Sequence, residues 1–204
     1  MRAHRFGPPP GQTPSQTAGP YVHIGLTPRR AGFEGFAAET GAAIAGPEVA
    51  GERIRVEGMV LDGAGAPVRD AVVEVWQADP QGRYPSPADP RGGAAPGFCG
   101  FGRAAADFDT GAIVIETVKP GPVPAPGGTM APHLALWIVA RGINTGLLTR
   151  MLFADEAEAN AACPFLARIE PERRETLIAE TTGPGAYRFT IRLQGPGETV
   201  FLEV

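Results

Sequence analysis

Residues 53–79 read RIRVEGMVLDGAGAPVRDAVVEVWQAD. In the first part Ile54, Val56, Gly58 and Val60 alternate with Arg53, Arg55, Glu57 and Met59. That two-residue period belongs to a strand with one buried face. DGAGAP follows, and its Asp62-Gly63 step favours a tight reversal. Alternation then resumes, with Val73, Val75 and Gln77 on one face and Val72, Glu74 and Trp76 on the other. Two such runs joined by so short a turn predict a β-hairpin. Many sandwich modules share this pattern, so it speaks to fold class and not to activity.

Outward from this stretch the chain keeps the same character. GRYPSPADPRGGAAPGFCGFGR (82–103) is too rich in Gly and Pro for regular structure and reads as loop. FDTGAIVIETVKPG (108–121) reads as a turn and a strand. HLALWIVARG (133–142) is almost wholly apolar and reads as a central strand, and LLTRMLF (147–153) as a further alternating one. DEAEANAACPFLARI (155–169) predicts a short helix, since its acidic start suits the positive end of a helix dipole. AYRFTIRLQ and TVFLEV predict a last hairpin across GPGE. Upstream, YVHIGL (21–26) is a first strand-like run, and 27–51 reads as a long loop. The tally is about eight strands with one or two short helices. It implies an all-β fold, an antiparallel β-sandwich with long loops. Residues 1–20, rich in Pro, Gly, Gln and Ser, predict an extended N-terminal arm; 21–204 then form a single domain. No internal repeat is visible.

Composition narrows the function classes. The 204 residues are 43% hydrophobic and 20% charged, ordinary for a globular chain, and 28 Gly and 22 Pro suit short strands with many turns. The net charge of −4 comes with no basic stripe, which argues against nucleic-acid binding. The longest apolar run, residues 134–140, is too short to span a bilayer, and the N-terminus has no signal-peptide core; the chain reads as cytoplasmic. Two distant cysteines, Cys99 and Cys163, read as free thiols.

Several long, dispersed motifs point further: SQTAGPYVHIGL, VRDAVVEVWQAD, TVKPG, MAPH, ARGIN, RRETLIAE and QGPGETVFLEV. Through them the sequence, from about residue 13 to its end, resembles the intradiol ring-cleavage dioxygenases. Within that family it is most similar to the chains that work beside a homologous metal-bearing partner. The resemblance implies a ferric site built in the catalytic chain from two tyrosinates and two histidines. The matching positions here are Tyr84, Val123, His133 and Ala135. Ferric iron is a hard Lewis acid that phenolate and imidazole ligands suit. Two ligands fall short of the three or more usual in catalytic sites. A His-x-His pair on a strand would turn both imidazoles to one face, and Ala135 breaks that pair. Tyr21, Tyr187, His4 and His23 are the remaining Tyr and His residues, and none is assigned a ligand role. The resemblance therefore implies no metal in this chain, Fe(III) held by the homologous partner, and intradiol cleavage of a catechol by O2 in the complex.

The same resemblance assigns a role at the substrate. Arg141, in ARGIN, would reach the partner's active site, and Thr17, Gly19, Pro20 and Tyr21, in the arm, would form part of the pocket wall. Arginine suits a carboxylate because its planar fork makes paired hydrogen bonds. An extended strand places Arg141 about 26 Å from His133, too far for one small-molecule pocket. On the residues alone each has a plainer reading: His133 and Tyr84 as satisfied structural side chains, Arg141 as a surface arginine. Two other functions compete, a single-chain dioxygenase with a rewired metal site and a non-enzymatic β-sandwich interaction module.

Overall fold

The computed structural model describes residues 16–35, 41 and 43–203. Residues 1–15 of the predicted arm, with His4, and residue 204 lie outside them. Ten strands are found among the described residues: β1 (Arg53–Leu61), β2 (Val72–Gln77), β3 (Phe101–Ala105), β4 (Ala112–Val118), β5 (Val123–Ala125), β6 (Gly128–Met130), β7 (His133–Val139), β8 (Leu147–Phe153), β9 (Ile178–Gly183) and β10 (Ala186–Arg192). Helices α1 (Val22–Leu26) and α2 (Ala157–Ala161) are one turn each, and 3-10 turns cover Leu166–Arg168 and Pro171–Leu177. No helix of the described residues is long and apolar enough to cross a membrane.

Eight strands form one sheet in the order β3-β2-β7-β8-β9-β10-β1-β4, and β5–β6 make a separate ribbon. The end strands β3 and β4 approach each other without pairing, so the sheet curls into a sandwich that nearly closes. The alternation read in the sequence decides which side chains fill it. Ile54, Val56 and Val60 of β1, Leu134, Leu136 and Ile138 of β7, and Tyr187, Phe189 and Ile191 of β10 share one buried cluster.

The all-β class stands, while the antiparallel arrangement is only partly met. β1 runs parallel to β10 and β8 parallel to β9. Neither pair is joined by a tight turn: α2 and the 3-10 turns lie between β8 and β9, and all the other strands between β1 and β10.

The hairpin predicted for β1 and β2 does not form. Its turn does: the Asp62 carboxylate accepts the N–H groups of Ala64 and Ala66, and Val68 N–H donates to the Val60 carbonyl. After an isolated bridge between Leu61 and Pro67 the chain leaves β1. β1 pairs instead with β4 and β10, and β2 with β3 and β7. Ile54 and Val56 thus meet Val73 and Val75 within one core cluster, not as ladder neighbours.

Other local expectations shift for similar reasons. YVHIGL folds as α1: Val22 N–H bonds the Gly19 carbonyl, and the N–H groups of Gly25 and Thr27 reach those of Tyr21 and His23. Pro20 has the fixed φ that suits the second position of the turn closed by the Val22–Gly19 bond. The segment 82–103 is loop until Phe101, where β3 begins on β2; Ile44 packs where a Gly102 side chain would lie. The predicted helix at 155–169 is split by Pro164 into α2 and a 3-10 turn. The last hairpin joins β9 to β10. Only Thr199 returns to Arg192, and Leu202 then bonds the Leu148 carbonyl, because β1 already occupies the other edge of β10. Cys99 and Cys163 are both free thiols.

A charged knot ties the ends of β4 and β8 to the start of β10. Lys119 Nζ lies 2.9 Å from Asp155 Oδ2 and 2.7 Å from Glu156 Oε1. The buried Tyr187 hydroxyl donates to the same Asp155 oxygen at 2.8 Å. Burial, with the Asp155 carboxylate, pushes the Tyr187 phenol up to about 12, so it stays a donor. Tyr187→Phe keeps the ring against Phe153 and removes this bond; urea denaturation should show a loss of about 1–2 kcal/mol. An unchanged midpoint would mean the knot adds nothing net.

Candidate functional site

The loop bearing Tyr84 is held by a buried carboxylate. Asp79, 1% exposed, accepts the N–H groups of Gln81 and Arg83 on Oδ1 and of Ala95 on Oδ2, each at 2.9 Å. Three backbone donors gathered on one buried carboxylate fix the loop's path. Gly82 follows with φ +75°, and a Cβ there would collide with the Pro122 carbonyl. Only glycine fits this close approach, which brings the Tyr84 loop against the segment entering β5. Asp89 then accepts Tyr84 N–H at 3.1 Å and pairs with Arg91 at 2.6 Å.

These anchors bring the four positions of the implied iron site into one region. The Tyr84 hydroxyl lies 3.4 Å from His133 Nε2, and its ring stacks on Trp76 with centroids 5.8 Å apart. Val123 and Tyr84 line one cleft of about 540 Å³, with Trp76, Arg91 and Met130. Ala135 pairs with Trp76 of β2 on one side and Arg150 of β8 on the other.

Protonation in this cluster follows from its partners. His133 Nδ1 is 2.8 Å from the Ala131 carbonyl, which only accepts, so Nδ1 carries the proton. Nε2 is left as the acceptor facing the Tyr84 hydroxyl. Burial, reinforced by the charge of Arg150, pushes the His133 imidazole down to about 4 despite the Ala131 bond. Burial also raises the Tyr84 phenol, against the opposing charges of Arg150 and Arg91.

Arg150 is the residue that sequence reasoning missed. Its guanidinium contacts Met130 Sδ at 3.0 Å and stacks over the Phe165 ring at 4.5 Å. Its charge acts on both Tyr84 and His133. The place opposite Ala135 thus holds a cation of the protein's own. A ferric ion there would find only one imidazole and one phenol as ligands, beside a fixed positive charge, and the residues present do not fit it. Among the described residues, no three His, Cys, Asp or Glu side chains group to hold a metal ion.

The expected substrate residues lie at the other end of β7. Arg141, just past that strand, and Pro20 line a second cavity of about 680 Å³ with His23, Asp70, Phe108 and Ile143. The arm is docked beside it: the Thr17 hydroxyl and the Ala18 N–H both donate to the Ile143 carbonyl, at 3.2 and 3.4 Å. The side chain of Arg141 is 68% exposed, with Nε 3.7 Å from Asp70 Oδ2. Gly19 and Tyr21 are solvent-facing, Tyr21 at 75% exposure, and neither lines the cavity. The structure therefore brings Tyr84, His133, Val123 and Ala135 together, and Arg141, Thr17 and Pro20 together, in two separate places. Arg150 and Asp70 could have been found only from strand register, which sequence periodicity does not supply.

Comparison with known proteins follows the same lines. A family model described as "Dioxygenase" matches residues 37–195. The chain is 51% identical to a protocatechuate 3,4-dioxygenase alpha chain of Pseudomonas putida, over 94% of this chain and 96% of that one. It is 44% identical to the alpha chain of the same name from Burkholderia cepacia, over 95% and 98%. The Burkholderia cepacia beta chain of that name is 34% identical over 77% of this chain and 71% of its own. Among solved structures, the dioxygenase domain of a carbohydrate-binding fusion from Streptomyces sp. SirexAA-E superposes with a TM-score of 0.55 at 21% identity, covering 82% of this chain and 96% of that one. At that identity the likeness shows the fold alone.

The depressed histidine gives a pH signature. A His133 that resists protonation to about 4 while the unfolded chain takes its proton near 6.5 is fully stabilised above 6.5. Stability is then lost as pH falls from about 6.5 to about 4, by about 3 kcal/mol at most. Urea midpoints measured from pH 7.5 to 4.5 should fall in the native chain and fall less in His133→Asn. Equal slopes would show that His133 does not carry the effect.

Proposed function

The chain belongs to the dioxygenase family, among relatives that are alpha chains of protocatechuate 3,4-dioxygenase, and on that premise we propose that it is the metal-free alpha subunit of such an enzyme. The observation that carries the reading is the closed cluster of Tyr84, His133 and Arg150 with Val123 and Ala135 beside it. It is a catalytic chain's ligand framework in which two ligands are apolar and the metal's place faces an arginine. A homologous beta chain, of the kind represented in Burkholderia cepacia, holds the ferric iron. The complex cleaves 3,4-dihydroxybenzoate between its two hydroxylated carbons. Both atoms of one O2 enter the product, 3-carboxy-cis,cis-muconate. The N-terminal arm and the single sandwich domain of this chain act as one wall-building unit, and the complex is cytoplasmic.

What this chain's own residues contribute is recognition. Arg141 is exposed, and its terminal guanidinium nitrogens are directed to the carboxylate that distinguishes the substrate from plain catechol. Pro20, with the arm pinned through Thr17 and Ala18 to Ile143, shapes the wall beside it. Gly19 and Tyr21, exposed in the free chain, complete that wall against the partner.

Iron content and catechol-dependent oxygen uptake test the assignment, first on this chain alone and then on the chain co-expressed with a beta partner. Iron and turnover should appear only in the complex. Turnover by the lone chain would establish an independent enzyme, and a beta partner equally active without this chain would leave only an interaction module. In the complex, Arg141→Ala should lower kcat/KM for 3,4-dihydroxybenzoate about 10- to 100-fold, the scale of one lost charge-assisted contact. Unchanged kinetics would remove Arg141 from the substrate site.

A further inference from the structure

The β2–β7 ladder is antiparallel, with Val72 opposite Val139. Carried two residues past that last pair, the same register sets Asp70 opposite Arg141. The side chains meet there: Arg141 Nε lies 3.7 Å from Asp70 Oδ2. The two partners differ in freedom. Asp70 has a short side chain, only 18% exposed, on backbone fixed just before β2. The Ala71 N–H bonds the Val68 carbonyl, and Ala106 N–H bonds that of Ala71. Arg141 is long, 68% exposed and rooted in a turn. A free arginine of this kind samples many rotamers, and ordering it on a ligand costs conformational entropy.

We propose that Asp70 is the positioning residue for Arg141, and through it a determinant of selectivity for a carboxylated ring over an uncharged catechol. The geometry divides the guanidinium between two tasks. Asp70 stands at the Nε side, near the root of the group. Both residues line the 680 Å³ cavity, so the terminal nitrogens, farther out, are left for an incoming carboxylate. An opposite-charge pair just past the end of the ladder holds its members by modest attraction, enough to bias an exposed side chain without burying it. Asp70 touches no substrate in this scheme. It acts by keeping the fork of Arg141 aimed into the cavity before substrate arrives, so less ordering remains to be done on binding.

This inference rests on the proposed role of Arg141, and the experiment separates the two. In the iron-loaded alpha–beta complex, Asp70→Asn and Arg141→Ala are each compared with the native protein. Iron content and complex mass confirm assembly. Steady-state oxygen uptake is measured with 3,4-dihydroxybenzoate and with catechol, which lacks the carboxylate. Asp70→Asn removes one charge at constant shape. It should raise KM for 3,4-dihydroxybenzoate about three- to fivefold, with kcat little changed and catechol kinetics unaffected. Arg141→Ala should show the same selectivity, more strongly. If Arg141→Ala is selective and Asp70→Asn is not, the positioning role is overturned and the substrate role stands. If neither is selective, both fail. A lower KM in Asp70→Asn would show that Asp70 competes with the substrate for Arg141 and would also overturn the proposal, as would equal changes with both substrates.

Discussion

The register between β2 and β7 is the constraint on which the rest depends. It sets Trp76 against Ala135 and Val72 against Val139, and so decides what stands at each end of β7. At the start, His133 comes under the Tyr84 loop. At the finish, Arg141 comes against Asp70. A slip of one residue would turn each of these side chains to the opposite face of the sheet. The core forbids that slip, because Leu134, Leu136 and Ile138 are buried together with Val73 and Val75. The apolar interior thus places polar groups with which it has no chemistry in common.

The two ends answer different electrostatic problems. Around His133 burial keeps neutral groups neutral, with Arg150 assisting at the imidazole and opposing at the Tyr84 phenol. Burial and Arg150 hold the imidazole unprotonated, and the phenol of Tyr84 stays a phenol. Around Arg141 the cation is exposed and only lightly held by Asp70. Such loose tenure suits the role proposed for Arg141, since a fully satisfied buried pair would have to be broken first. The first site is self-contained and the second is open.

Alternation made the strands legible, because each strand of the sandwich buries one face. Ile54, Val56 and Val60, and likewise Val73 and Val75, are inward as their spacing required. Neighbours were not legible. Periodicity states which side of a strand is wet, but not which edge meets which, so adjacent β1 and β2 passed for a hairpin although the core joins them face to face. β9 escaped notice because IAETTG has little apolar alternation; β10 on one edge and β8 on the other hold it. At the site, Tyr84, His133, Val123 and Ala135 could be named from motif resemblance, since each lies in a distinctive segment. Arg150 lies in ordinary strand sequence and Asp70 in the turn before β2, and the meaning of each comes from what the β2–β7–β8 register sets beside it.

The parallel pairing of β1 with β10 also bears on the order in which the protein is made. Leu61 lies opposite Arg192, near the far end of the chain. At ribosomal speeds that gap is on the order of ten seconds. Even after β4 has been made, β1 has no partner along its other edge until β10 follows. The sandwich therefore closes only once β10 has been made, and until then the nascent chain carries an open strand edge of the kind that invites pairing with other chains. The arginines and glutamate that alternate along β1, Arg53, Arg55 and Glu57, keep one face of that waiting strand charged. A stop codon before residue 186 would remove β10 altogether, and the edge would then stay open for good.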